Sequence, residues 1–202
     1  MKANFEVDLE DYSDIAKLAI TLIGTTPNQK IDHKLRIQKL AFLVDKVIRN
    51  SDLDDELDFV PLHMGPYSEN LESSIHLLKD EGLITLGTGD SLKSELTDKG
   101  RLVSNKIKEE LPEMYNASLK INEDMKDLTS KELTGLVYEL YPSMTENSMI
   151  KDNIPATDKF DSFHINVEKM KPGSTSTNKT RLGHELKVSL DSDGNISITW
   201  GD

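Results

Sequence analysis

Apolar positions recur at helical spacing from the start of the chain. Between Asp8 and Ile23, Ile15, Leu18, Ala19 and Leu22 share a face, with Ile23 beside them. Asp8, Asp11 and Ser13 can each cap the start, and acids there suit the helix dipole. The run Gly24-Thr25-Thr26-Pro27-Asn28 ends this helix. A second helix is predicted from Asp32 to Asn50. Its apolar stripe (Leu35, Ile37, Leu40, Phe42, Leu43, Val44, Val47, Ile48) is wider than a surface helix needs, which predicts burial on more than one side. Ser51–Asp58, rich in Asp and Glu, reads as a solvated connector.

The period then changes. Phe59–Leu86 reads as a short, largely buried strand, a Gly65-Pro66 turn, an amphipathic helix and a return strand over Leu83–Leu86. Ser68 caps the helix, Leu71, Ser74, Ile75 and Leu78 line its inner face, and Gly82 closes it. Gly87-Thr88-Gly89-Asp90 is a hairpin tip, with a strand returning over Ser91–Leu96. Thr97 opens another helix with Leu102, Val103, Ile107 and Leu111 on one face. Pro112 separates it from a helix over Glu113–Leu128. Thr129 with Glu132 forms a capping box for a last helix that Tyr141-Pro142 stops, with a short turn possible in sequence terms from Thr145 or Asn147 to Ile150. Beyond Asn153 the pattern becomes polar. One strand is predicted at Phe163–Val167, a flexible loop over Lys169–Gly183, and a hairpin over Glu185–Trp200 about Asp191–Gly194, with Leu186, Val188 and Leu190 on one face of the first strand and Ile196, Ile198 and Trp200 on one face of the second. A sheet that small must dock on the helices, pair with a partner or form a dimer.

The composition supports a core, with 36% hydrophobic and 30% charged residues in 202. The chain has no cysteine, which excludes disulfides, thiolate metal sites and cysteine nucleophiles. An acidic start without an apolar stretch does not read as a secretory signal, and no apolar run is long enough to cross a bilayer, so a soluble cytoplasmic protein is expected. A net charge of −12 disfavours avid nucleic-acid binding, and suits a partner with a basic surface. Residues 30–49 depart from that balance, with six basic residues against two acids. Lys30, Lys34, Arg36, Lys39 and Lys46 are candidates for phosphate contacts, or they simply solvate the helix and pair with the acids of Ser51–Asp58.

Other candidate chemistry is sparse. His63 and His76 lack a third ligand at helical spacing, and no metal or cofactor is expected. Gly87-Thr88-Gly89 is followed by a strand, where a phosphate loop requires a helix. Tyr67-Ser68 lies in no nucleophile elbow, so no hydrolase constellation is present. The helix after Ser68 exposes Glu69, Asn70, Glu72, Ser73, His76, Lys79 and Asp80, a face that phosphates would repel.

Four blocks carry a family resemblance. KIDHKLRIQKLAFLVDKV resembles a K-x-x-L-Q-K-L-x-F-L helix, with Ile37 at the usual leucine. MGPYSENLESSIHLLKDEGLI is similar to a Y-G-P-[YF]-S-x-x-L-x-x-x-I-x-x-L-x-x-x-G-L-I block, with Met64 where an aromatic residue is common. LTDKG matches an L-T-x-x-G helix start, and LTSKELTGLVYELYPSMTENSMIKD is similar to a tail ending in Y-P-x-x-[ST]-x-x-S-x-I. Together these resemble prokaryotic winged-helix-like proteins related to the Panacea / Soc-type antitoxin domain. The resemblance covers residues 10–152. It implies a helical domain with a wing, and a partner protein that is neutralised or delivered to a protease.

The expected architecture is therefore mainly α (α+β): a winged-helix-like domain over 1–152, a linker with one strand over 153–183, and a C-terminal antiparallel β appendage, a hairpin over 184–202. The expected function is a non-catalytic module, antitoxin-like or adaptor-like, binding protein through Met64, Tyr67, Glu69, Asn70 and His76. The alternative is a transcriptional regulator binding DNA through the 30–49 helix and the wing. The terminal hairpin is a candidate for homodimer contacts.

Overall fold

The computed structural model describes residues 7–32, 34–48, 51–87, 93–150, 165–179 and 185–201. Asp8 caps a 3-10 turn at Leu9–Asp11, and Ser13 caps the first helix, α1 (Asp14–Gly24), by accepting from Ala16 N–H. Leu18, Ala19, Ile20, Leu22 and Ile23 are fully buried, so α1 is apolar nearly all round. It is the central rod, packing against α2 (Lys34–Ile48), α4 (Glu69–Asp80), α5 (Asp98–Glu110) and α6 (Pro112–Met125). The broad stripe of α2 is buried as expected, from Ile37 through Asp45.

The acidic stretch after α2 is a helix, α3 (Ser51–Leu57), and not a loop. Leu53 and Leu57, four residues apart, are fully buried, and that pair outweighs the solvation of the surrounding carboxylates. Two strands follow as an antiparallel hairpin, β2 (Val60–Leu62) and β3 (Gly65–Tyr67), so Gly65-Pro66 begins a strand and the turn lies at His63-Met64. Ser68 caps α4 through Leu71 N–H. Strands β4 (Ile84–Leu86) and β5 (Ser94–Leu96) pair, and β5 also pairs with a two-residue strand, β1 (Lys30–Ile31), giving the order β1-β5-β4. Strand β1 had no visible signal, because two residues carry no period. Residues 88–92, the hairpin tip, lie outside the described residues.

Thr97 caps α5, and Gly100 in its first turn lets the helix press onto the chain after α4. A Cβ at Gly100 would lie 2.1 Å from Leu83 O. Pro112 opens α6, and the Thr129–Glu132 capping box opens α7 (Ser130–Leu140). A 3-10 turn at Pro142–Thr145 follows. The chain after residue 165 forms a 3-10 turn at Val167–Lys169 where a strand was expected. Part of the expected loop is strand β6 (Ser174–Lys179). With β7 (Glu185–Leu190) and β8 (Ile196–Gly201) it makes a three-stranded sheet ordered β6-β7-β8. Its register opposes Leu186 to Trp200, Val188 to Ile198 and Leu190 to Ile196. Strand β8 packs against α2 and α6, and Leu186, Val188 and Ile198 join the helical core. The chain's own helices therefore cover the face for which a homodimer was one expected cover. Phe163 and the residues around Ala156 lie outside the described residues.

Candidate functional site

The β2–β3 hairpin is clamped on its inner side by three elements. From α2, Gln38 Nε2 donates to Ser68 O (3.0 Å) and Ser68 N–H donates to Gln38 Oε1 (2.9 Å). Lys39 Nζ donates to Pro66 O (2.8 Å). From α7, the Tyr138 ring lies against Gly65, which holds φ +85°, and the Tyr138 hydroxyl meets Ser148 Oγ at 2.7 Å. The segment after α7 then borders the hairpin. Asn147 Nδ2 donates to Pro61 O (3.0 Å) and Met149 N–H to His63 O (3.0 Å). At the far end Asn70 Nδ2 donates to Glu56 O (2.7 Å), joining α4 to α3.

The outer side is apolar and open. Val60 is 42% exposed, Leu62 39% and Met64 39%, while Met149 on the bordering segment is 74% exposed. The strand expected to be largely buried is therefore a displayed one. Of the expected partner-binding residues, only Met64 belongs to this patch. Tyr67 and His76 lie in a second group, where Lys34 pairs with Glu72, sits 5.7 Å from the Tyr67 ring centroid, and shares Glu72 with His76 at 3.9 Å. Glu69 is exposed on α4, and the Asn70 amide is occupied by Glu56 O. Sequence reading missed Val60, Leu62 and Met149. The signal was Pro61, which disfavours a central strand and points to an edge.

The basic residues of α2 are largely committed inside the fold. Lys39 is 1% exposed, and no carboxylate pairs with it among the described residues. It cannot reach a phosphate without unfolding, which corrects its expected role. Arg36 Nη1 and Nη2 donate to Leu128 O (2.5 Å) and Met125 O (2.7 Å), capping the end of α6, and burial lowers its pKa. Lys34 is held by Glu72. Lys46 pairs with Asp45 (2.9 Å) and Asp54 (2.7 Å), so it does meet the acidic stretch. Burial pushes the Asp45 carboxyl up to about 6, against the pull of Lys46. Lys30 lies on the rim of a cleft, with no ion pair among the described residues.

Burial brings the Lys39 ammonium down to about 7. The unfolded chain, with the ordinary value of 10.5, binds the proton more tightly, so the cost of a buried cation is complete below pH 7. It fades as pH rises from 7 to 10.5. Lys39→Met is expected to be more stable than the parent by about 1–3 kcal/mol at pH 6, after allowing for the lost bond to Pro66 O. The advantage shrinks in urea titrations repeated at higher pH. A variant less stable than the parent at pH 6 would show that the Pro66 bond outweighs desolvation.

Among the described residues no group of three histidine or acidic side chains could hold a metal ion, and no helix is long and apolar enough to cross a membrane. Comparisons with protein-family models, curated proteins and solved structures gave no match to this chain.

Proposed function

We propose that the protein is a non-catalytic interaction module that docks a partner protein on the β2–β3 hairpin, as an antitoxin or a protease adaptor does. The observation that carries this reading is the rigid display of Val60, Leu62, Met64 and Met149. Single exposed apolar residues are ordinary, but several on one short hairpin and its border make a surface that a partner can cover, and buried hydrogen bonds from Gln38 and Lys39 to Ser68 O and Pro66 O fix that hairpin on the core. The resemblance of the 64–84 block to antitoxin-related proteins supports the same region. The module is winged-helix-like: α1, β1, α2, α4 and the β4–β5 hairpin follow that order, and β1 pairs beside β5. Docking of DNA by this frame is disfavoured, because Lys39 is enclosed, Lys34, Arg36 and Lys46 are engaged, and α4 presents Glu69 and Asp80.

Site-specific photo-crosslinking from position 62 in the native host is expected to trap one protein. Leu62→Asp with Met64→Asp, both at exposed sites, is expected to leave the unfolding free energy within about 0.5 kcal/mol of the parent and to abolish the cross-link formed from position 60. Unchanged capture by the double variant refutes this surface. Salt-sensitive DNA binding by the parent, with no protein captured, would instead favour the regulator.

A further inference from the structure

A cleft of about 580 Å³ opens on another face of the molecule, between the α1–β1 loop, the start of α2, the end of α6 and the start of α7. Four cations line it: Lys30, Arg36, Lys126 and Lys131. The single carboxylate among its walls, Asp32, is drawn toward Lys93 at 3.7 Å. In a chain of net charge −12 such a concentration of cations is out of keeping with the rest of the surface.

The cations are also unspent. Lys30, Lys126 and Lys131 have no ion pair among the described residues; Lys79 and Lys108 have none either, so it is the gathering of the three in one cleft that sets them apart. Arg36 is held in place by the carbonyls of Met125 and Leu128, so its charge is a fixed part of the wall. Lys131 stands in the first turn of α7, where a cation opposes the helix dipole. An anion in the cleft would relieve that repulsion. The polar walls (Thr26, Thr129, Ser130) supply hydroxyl groups, and Ile31 with Pro27 supplies an apolar portion.

We propose that this cleft binds a phosphate-bearing ligand, with the phosphate held among Lys30, Lys126 and Lys131 in front of Arg36. Its volume lies in the range of small-molecule sites and exceeds what a bare inorganic anion fills, which points to a nucleotide-sized ligand. The same phosphate chemistry could be presented by a free nucleotide or by the backbone of a single strand. The site is independent of the hairpin patch and does not rest on it.

The test is a calorimetric titration of the intact protein at low salt with pyrophosphate, with ADP and with a dT oligonucleotide. Binding is expected to weaken about tenfold or more in Lys126→Ala with Lys131→Ala, and to weaken as salt rises. Lys120→Ala removes a cation from α6 outside the cleft and is expected to leave affinity unchanged. Binding of ADP that pyrophosphate displaces identifies a free ligand, and binding of the oligonucleotide alone identifies a nucleic-acid backbone. Either supports the site. No binding of any probe, or equal loss in Lys120→Ala and the cleft variant, overturns it. Leu62→Asp with Met64→Asp should bind the probes as the parent does, so failure here and failure of the hairpin surface are told apart.

Discussion

Gly65→Ala is expected to lower the unfolding free energy by about 2–4 kcal/mol, and to cost the hairpin its fixed position. Two penalties combine. Gly65 holds φ +85°, where a Cβ is strained by about 1–2 kcal/mol. That Cβ would also lie 2.3 Å from Tyr138 Cε1. The ring cannot swing aside freely, because the Tyr138 hydroxyl is engaged by Ser148 Oγ at 2.7 Å and Tyr138 is buried within α7. The chain must then part β3 from α7, and Val60, Leu62 and Met64 move with it. Urea unfolding reads the first effect, and cross-linking from position 62 reads the second. Adding Tyr138→Ala to Gly65→Ala should cost less than the sum of the single changes, because the clash is shared and the φ strain is not. A Gly65→Ala protein within about 0.5 kcal/mol of the parent would show that the hairpin is not pressed on α7 in solution.

Phe42→Ala is expected to cost about 3–5 kcal/mol, enough to unfold a marginal domain. Phe42 is fully buried on α2, and its ring meets Phe59 edge-on at 5.3 Å and Tyr141 edge-on at 4.9 Å. Phe59 leads into β2 and Tyr141 ends α7, so one ring binds the entry of the hairpin to the helix behind it. Truncation leaves a cavity that three separate elements must collapse together to fill. Phe42→Leu keeps most of the volume and should cost much less, about 1–1.5 kcal/mol. Chemical denaturation of both variants checks the order. Equal losses would mean that aromatic geometry, not volume, sets the contribution of this site.

Most helices were legible because their signals are local. Ser13, Ser68, Thr97 and Thr129 each cap the helix that follows, and the Thr129–Glu132 reciprocal bonds form as the T-x-x-E pattern implies. The two terminal strands were equally plain, since Leu186, Val188 and Leu190 on one and Ile196 and Ile198 on the other alternate with period two, although their pairing, Leu190 with Ile196, leaves a loop one residue longer than Asp191–Gly194. The failures lie where the cause is distant. Helix α3 was hidden because its four acids dominate the local pattern, while the two leucines that hold it find their partners elsewhere in the core. Strand β6 was hidden because Ser174–Lys179 is polar and shows no apolar alternation, while its pairing with β7 rests on the backbone ladder and a Thr175–Ser189 hydroxyl bond. The candidate sites failed in the same way. Lys30, Lys34, Arg36, Lys39 and Lys46 are alike in sequence, yet the fold buries one, caps a helix with another, pairs two and leaves one on a cleft.

The sequence by itself determined most of the helices, their caps, the two terminal strands and an acidic chain without thiols, because propensity, period and charge are properties of neighbours along the chain. Tertiary structure alone decided which side chains are available. Lys39 is enclosed because Pro66 O, 27 positions away, lies beside it. Met149 borders the hairpin that carries Met64 because its N–H bonds to His63 O, 86 positions away in the chain. Lys30, Lys126 and Lys131 share a cleft because α6 and α7 return beside the start of α2. Accessibility depends on what packs against a residue, and no local pattern carries that.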